Sequence, residues 1–137
     1  MARIIAIDYG KKRTGIAVTD PMQIIATGLT TVATTDSLVF LEKYMAVESV
    51  ERILIGWPLN WDESETDATP LVKKFIQALQ KKFPQIPITK IDERFSSKMA
   101  KDAMLAMGMK KKQRRKKALV DEIAATILLQ EYLKTIH

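Results

Sequence analysis

Asp8 stands where a buried strand would end. It follows a short apolar run, residues 3–7, and precedes Gly10 and Gly15. Apolar and small residues in a row predict a buried strand, and the glycines allow a tight turn that keeps bulk away from the carboxylate. A carboxylate is costly to bury alone, so this one is expected in an open cleft or bound to a cation. An Asp that caps a turn explains the same residues equally well.

Asp121 lies in a segment that is apolar nearly all round, which predicts a mostly buried helix from Ala118 to about Ile136. At about 100° per residue, Asp121 shares a face with Ala124, Ala125, Leu128 and Tyr132, and Glu122 shares one with Thr126, Gln130 and Lys134. We therefore expect Asp121 to point inward, where it would be paired, protonated or on a metal, and Glu122 to point outward. The alternative for Asp121 is an acid in the first helical turn, favoured by the helix dipole.

Asp92 and Glu93 follow another predicted strand, residues 86–91. Three carboxylates, from the first strand, this strand and the last helix, would suffice to hold two divalent cations that activate water and stabilise the leaving oxygen of a phosphodiester. The strand pattern does not decide between Asp92 and Glu93, and a surface ion pair with Arg94 is the alternative for both. The chain has one histidine, His137 at its end, which disfavours a histidine general base.

The charge of the chain points to an anionic partner. Lys and Arg number 22 against 16 Asp and Glu, a formal net charge of +6, and nucleic acid is the first candidate. The basic residues are concentrated just before the Asp121 helix, at Lys110, Lys111, Lys112, Arg114, Arg115, Lys116 and Lys117. Such a run would draw a polyanion towards acids that alone would repel it, and Lys11, Lys12 and Arg13 would extend the same surface. An idle solvated segment is the alternative.

Length and composition exclude several classes of protein. The 137 residues predict one domain with a proper core. The absence of cysteine excludes disulfide frameworks, thiolate zinc sites and a cysteine nucleophile. The first apolar stretch is too short for a signal-peptide core or a membrane span, so we expect a cytoplasmic protein.

The hydrophobic pattern predicts a mixed-sheet α/β domain. Strands are expected at residues 3–8, 16–19 and 28–32, which would form an antiparallel meander, and then at 52–56 and 86–91. Between them, Asp36 would cap a helix that runs to about Val47, and Thr69-Pro70 would open a second. Ser96 would cap a third helix that runs to Met107 and is stopped by Gly108.

Four segments resemble one known family in order and spacing, over essentially the whole chain. They are Asp8-Tyr9-Gly10-Lys11-Lys12-Arg13-Thr14-Gly15, Gly56-Trp57-Pro58-Leu59-Asn60, Asp92-Glu93-Arg94-Phe95-Ser96-Ser97 and Val120-Asp121-Glu122-Ile123-Ala124-Ala125. The chain resembles the YqgF or RuvX family, described as Holliday junction resolvases and as nucleases of pre-16S ribosomal RNA. The resemblance implies a ribonuclease-H-like fold, with a central five-stranded mixed sheet flanked by helices, in the bacterial cytoplasm. It also implies that Asp8, Glu93 and Asp121 are the catalytic residues, which hold Mg²⁺ or Mn²⁺ in a two-metal site.

The loop after Gly56 resembles the family's Gly-x-Pro-Leu-Asn segment but departs from it. Trp57 and Trp61 stand where aliphatic residues are commoner, and Glu63 stands where Gly is frequent. Asn60 would bind a phosphate or sugar beside the acids, and Arg94 would bind nucleic acid or balance their charge. Either tryptophan would stack on an unpaired base or belong to the core, with Trp61 the more exposed.

These observations predict a metal-dependent nuclease that processes the 5′ end of precursor 16S ribosomal RNA, free or in ribosomal particles. One alternative is an endonuclease on branched DNA, which favours a homodimer over a monomer because two opposed strands must be cut. A second is an RNA-binding factor without catalysis. A third is an ATP-binding protein of the sugar-kinase and actin type, whose two lobes need far more than 137 residues.

Overall fold

The computed structural model describes residues 2–60, 62–92, 102, 105 and 117–137. The strands within them are β1 (Arg3–Tyr9), β2 (Arg13–Thr19), β3 (Ala26–Ala33), β4 (Val50–Trp57) and β5 (Ile88–Asp92). The helices are α1 (Ser37–Val47), which follows a 3-10 turn at Thr34–Asp36, then α2 (Thr69–Lys82) and α3 (Lys117–Ile136). The predicted strands and the final helix are confirmed within a few residues at each end.

The strands form one mixed sheet in the order β3-β2-β1-β4-β5. The first three make the expected antiparallel meander, whereas β1, β4 and β5 run parallel to one another. Parallel strands need crossover connections, and α1 and α2 lie in the two segments that supply them. Ile7 pairs with Ile55, and Trp57 pairs with Asp92, so the carboxyl ends of β1, β4 and β5 lie at one edge of the sheet, here called the carboxyl edge.

Alternation along each strand divides the core between the two faces of the sheet. Ile5 and Ile7 of β1 pack with Leu41 of α1 and Phe75 of α2, on what we call the α1/α2 face. Ile4 and Ala6 pack on the opposite side with residues of α3 such as Ala125 and Leu129, on what we call the α3 face. A residue's place in this alternation therefore determines which helix it meets.

Small residues on the α3 face let the helix lie close to the sheet. Ala6 and Ala17 are fully buried there against Ala125. A Cβ built on Gly15 would overlap the main-chain carbonyl of Asp121 and come within 2.9 Å of the Glu122 nitrogen. The absence of a side chain at Gly15 is thus what allows α3 to approach at this point.

Of the two predicted helix starts within the described residues, the first begins by a different mechanism from the one predicted and the second begins as predicted. Asp36 immediately precedes α1, but its side chain makes no capping hydrogen bond. The Ser37 hydroxyl instead donates to the Thr34 carbonyl at 2.7 Å, because a 3-10 turn already leads into the helix. Pro70 does lie in the first turn of α2, as expected. The helix predicted from Ser96 lies outside the described residues, except for residues 102 and 105, which are helical.

Among the described residues, none of the helices combines the length and apolar character needed to cross a membrane.

Candidate active site at the carboxyl edge

Asp8 lies one residue before the end of β1, at the carboxyl edge of the sheet. It continues the alternation of Ile4 and Ala6, so its side chain is on the α3 face, while Tyr9 packs against Phe75 on the other face. Asp8 is half-buried. The strand that places this carboxylate is apolar on both faces, which explains why it is central in the sheet.

Gly15 brings Asp121 to the strand next to Asp8. Asp8 and Gly15 are paired across β1 and β2, and adjacent strands are about 5 Å apart. The main chain of Asp121 rests directly on Gly15. Two of the predicted acids, from opposite ends of the sequence, therefore lie on the same face and at the same edge of the sheet.

Asp121 lies in the second turn of α3, since the helix begins at Lys117 and has no acid in its first turn. The helix-dipole explanation for this residue is therefore wrong. Ala124, Ala125 and Leu128 are buried, as predicted for the face that Asp121 shares. Its side chain keeps about a quarter of its surface exposed, which leaves the carboxylate accessible from the carboxyl edge.

Arg13 forms an ion pair with Asp121. Its Nε lies 3.3 Å from Oδ2 of Asp121, and the Arg13 side chain is 38% exposed. Arg13 is the first residue of β2 and shares the α3 face with Gly15 and Ala17. The sequence predicted Arg13 as a nucleic-acid contact only, and its pairing with a candidate metal ligand was not foreseen.

Asp92 lies on the opposite face from Asp8. It is paired with Trp57, which packs on the α1/α2 face, whereas its neighbour Ile91 packs on the α3 face. Paired residues in neighbouring strands point to the same side of a sheet. The strand pattern left Asp92 and Glu93 open, and the structure separates Asp92 from the face that carries Asp8 and Asp121.

Contrary to the prediction, Glu122 does not point into solvent. It is half-buried, and a Cβ on Gly28 would come within 2.6 Å of its Oε1, so the side chain lies over Gly28 of β3. Gln130 and Lys134, on the same helical stripe, are exposed as expected. The helical wheel gave the right stripe, but it took no account of a glycine in β3 that leaves room for the carboxylate.

The turn between β1 and β2 presents basic residues at the carboxyl edge. Lys11 and Lys12 are exposed, as expected of nucleic-acid contacts. Thr34 fixes this turn: its Oγ1 donates to the Gly10 carbonyl at 2.5 Å, and its main-chain nitrogen donates to the Lys12 carbonyl at 3.0 Å. The Thr34 hydroxyl also shares a hydrogen bond with the fully buried Thr14, at 2.9 Å. Sequence reasoning missed Thr34, since a threonine between a strand and a helix has no distinctive pattern.

The loop after β4 is held by its own polar groups. The Asn60 side-chain amide donates to the Ser64 hydroxyl at 3.0 Å and to the Glu65 carbonyl at 3.2 Å, so this predicted phosphate ligand closes the loop. Glu63 has a φ of 68°, in the left-handed region that favours glycine. Hydrogen bonds from the Ser64 side chain and main chain lower the pKa of the Asp62 carboxyl.

Trp57 belongs to the edge of the core. It packs against the buried cluster on the α1/α2 face, and the Lys90 ammonium lies 4.1 Å from the centre of its ring. The core interpretation therefore applies to Trp57, whereas Trp61 lies outside the described residues. Glu93, Arg94 and the basic residues from Lys110 to Lys116 also lie outside them, and Lys117 is described only as the start of α3.

The donor types at the carboxyl edge fit a hard divalent cation. Asp8 and Asp121 supply carboxylate oxygens, the ligands that Mg²⁺ and Mn²⁺ prefer. In the part of the chain that the structure describes, no three His, Cys, Asp or Glu side chains are grouped closely enough to hold a metal. The third acid expected at this site, Glu93, lies outside the described residues.

Comparison with solved structures supports the fold. RuvC of Thermus thermophilus, in complex with a Holliday junction substrate, superposes with a TM-score of 0.57 over 99% of this chain and 96% of that chain, at 12% identity. A second RuvC structure from Thermus thermophilus gives a TM-score of 0.54 at 14% identity, over 98% and 96% of the two chains. The expected ribonuclease-H-like fold, with its five-stranded mixed sheet, is confirmed.

Sequence comparison identifies the family. Proteins named "Putative pre-16S rRNA nuclease" are 54% identical in Flavobacterium psychrophilum over 133 residues and 55% identical in Phocaeicola vulgatus over 135 residues. The first alignment covers 97% of both chains, and the second covers 98% of this chain and 97% of the relative. The family model described as "RuvX: Holliday junction resolvase" matches residues 2–135. The chain that carries the motifs around Asp8 and Asp121 therefore belongs to the RuvX family.

Proposed function

We propose that this protein is a metal-dependent nuclease that processes the 5′ end of precursor 16S ribosomal RNA. The observation that carries the proposal is the meeting of Asp8 and Asp121 on one face of the sheet, at an edge that also presents Lys11 and Lys12. The choice of RNA rests on relatives above 50% identity that are named as pre-16S rRNA nucleases. We further propose that residues 1–137 act as a single domain in the cytoplasm.

Asp8, Glu93 and Asp121 are the proposed catalytic ligands of Mg²⁺ or Mn²⁺. Divalent cations bound there would supply an activated water and neutralise the leaving oxygen of the phosphodiester. Glu93 is favoured over Asp92 because Asp92 lies on the α1/α2 face, away from Asp8. The protein's own contribution is to hold the carboxylates in fixed positions on a buried strand and a packed helix, which reduces the reorganisation needed at reaction.

Basic residues would hold the substrate over these acids. Lys11 and Lys12 are exposed at the β1–β2 turn, and the seven basic residues of 110–117 lead into α3 in the sequence, the last of them being its first residue. Contacts of this kind bind the phosphate backbone without reading sequence, and their strength falls steeply with salt. Cleavage-site choice would therefore depend on the shape of the RNA around the three proposed carboxylates.

A test of this function is cleavage of precursor 16S RNA by the purified protein with Mn²⁺, with Mg²⁺ and with EDTA. We expect a shortened 5′ end with either metal and intact RNA with EDTA. RNA binding is recorded in the same samples by gel shift, on naked RNA and on ribosomal particles. Binding without product under every metal condition would overturn the proposal and favour an RNA-binding factor.

Branched DNA is a second candidate substrate. It is favoured by the description of the family model and by the likeness to a RuvC structure determined with a Holliday junction. A four-way junction incubated in parallel with the RNA distinguishes the two substrates. Symmetric nicks in the junction, with the RNA left intact, would assign the enzyme to DNA.

A further inference from the structure

The ion pair between Arg13 and Asp121 places a fixed cation on a proposed metal ligand. Arg13 Nε is 3.3 Å from Asp121 Oδ2. A guanidinium carries five N–H donors in a planar fork, a shape suited to carboxylate and equally to phosphate. Arg13 thus stands beside a group that would bind metal, at an edge that would bind RNA.

The ion pair between Arg13 and Asp121 is weak enough for another cation to displace the guanidinium. The two side chains are 38% and 26% exposed, and the contact joins them through Nε at a distance longer than is usual for charge-assisted hydrogen bonds. Water reaches both side chains and screens the pair, so its contribution to stability is small. A divalent cation with oxygen ligands would therefore displace the guanidinium at small cost.

Hydrogen bonds and strand pairing fix the main chain at Arg13, whereas its side chain can move away from Asp121. Thr34 fixes both Gly10 and Lys12 through hydrogen bonds of 2.5 and 3.0 Å, and Arg13 itself is paired with Ala33 in the sheet. Gly10 is packed so closely on the Arg13 carbonyl that a Cβ there would overlap it. Movement away from Asp121 would involve the long side chain alone, with no rearrangement of the turn.

We propose that Arg13 is a positioning residue that couples metal binding to RNA binding, an inference that rests on the proposed function. Without metal, its guanidinium neutralises Asp121. When a divalent cation occupies the carboxylates, the guanidinium is released and binds a phosphate of the RNA. Metal and RNA then strengthen each other's binding by thermodynamic linkage, because both bind more tightly when the guanidinium of Arg13 has left Asp121.

The first test measures Mn²⁺ binding by calorimetry in the absence of RNA. Arg13→Gln removes a competing cation, so we expect it to bind Mn²⁺ about three- to fivefold more tightly than the wild type, as suits a screened ion pair. Arg13→Lys retains the charge and is expected to stay within about twofold of the wild type. Lys12→Gln is the matched control, because it removes the same charge from the neighbouring exposed residue and should change Mn²⁺ affinity by less than about twofold.

The second test measures the affinity for a short hairpin RNA by fluorescence anisotropy, in EDTA and in Ca²⁺, with a gel to verify that the RNA stays intact. Ca²⁺ should tighten binding by the wild type, and the gain should be at least about threefold smaller in Arg13→Gln. Lys12→Gln should weaken binding by the same factor in both conditions.

The outcomes separate this inference from the proposed function. If the wild type and Arg13→Gln both bind Mn²⁺ with equal affinity, the coupling role of Arg13 is overturned. The proposed nuclease function is not affected by that result. An unchanged Ca²⁺ gain in Arg13→Gln would also overturn the coupling role. Absence of Mn²⁺ binding to the wild type would overturn the metal site itself, and the role of Arg13 with it.

Discussion

Gly15→Ala should damage both stability and catalysis, because Gly15 is where α3 touches the sheet beside Asp8. The added Cβ would lie 2.9 Å from the Glu122 nitrogen and closer still to the Asp121 carbonyl, whereas ordinary contacts begin near 3.4 Å. The helix would have to move by about 1 Å to clear that carbonyl, and the obstacle is main chain that cannot rotate away. Asp121 would move with it.

The size of the effect follows from this overlap. Overpacking of a close-packed interface costs about 1–3 kcal/mol, which lowers the melting temperature of a chain of this size by about 3–10 °C. Displacement of a catalytic group by about 1 Å costs on the order of 100-fold in rate. We therefore expect kcat on precursor RNA to fall about 10- to 100-fold at a temperature where the variant remains folded.

Gly28→Ala is the matched control. Gly28 also faces α3, but its added Cβ would meet the side chain of Glu122, at 2.6 Å from Oε1 and 2.9 Å from Cγ. A flexible side chain can rotate away, so the change in free energy of unfolding should be below about 1 kcal/mol. The assays are thermal unfolding by circular dichroism and single-turnover cleavage. A Gly15→Ala variant with wild-type melting and rate, or a Gly28→Ala variant equally impaired, would refute the reasoning.

Three further predictions concern the loops and the turn. Glu63→Gly should raise the free energy of unfolding by about 1 kcal/mol, because it relieves a left-handed φ of 68°, whereas Glu63→Ala, which keeps the Cβ, should give no such gain in urea unfolding. The Asp20 carboxylate accepts main-chain hydrogen bonds from Ile25, Ile24 and Met22, and these lower its pKa below 3.8. Its contribution to stability is therefore present above that pH and lost as pH falls through the lowered pKa, so the urea midpoint of Asp20→Asn should lie below the wild type at pH 7 and converge with it as the pH falls through that lowered pKa. Thr34→Val should cost about 1–2 kcal/mol, since it leaves the buried Thr14 hydroxyl short of a partner, while Thr34→Ser should retain most of the stability measured by the same method.

The hydrophobic pattern predicted β1, β2 and β4 because each of these short strands has a buried apolar centre. The run before Asp8 is buried on both faces of the sheet, which produces a continuous apolar sequence instead of an alternating one. The helical wheel placed Asp121 correctly, since Ala124 and Ala125 are small enough to let α3 lie on the sheet.

Contacts between distant segments could not be predicted in this way. Nothing local in the sequence indicates that Gly15 receives the backbone of Asp121, that Gly28 receives Glu122, or that Arg13 pairs across 108 positions. These depend on the register of β2 with β1 and β3, which is set by the whole sheet. Register also explains why Asp92, adjacent to Glu93 in sequence, lies on the face opposite Asp8.

The central claim is that the acids on the α3 face carry out the chemistry. The most direct test is Mn²⁺-dependent cleavage of precursor 16S RNA by Asp8→Asn and Asp121→Asn beside Asp92→Asn, with RNA binding recorded in each sample. All three changes remove one negative charge at the same edge of the sheet, but Asp92 lies on the α1/α2 face. We predict that the first two variants bind RNA and release no product, while Asp92→Asn cleaves at nearly the wild-type rate. Retained cleavage in Asp8→Asn, or loss confined to Asp92→Asn, would contradict the account.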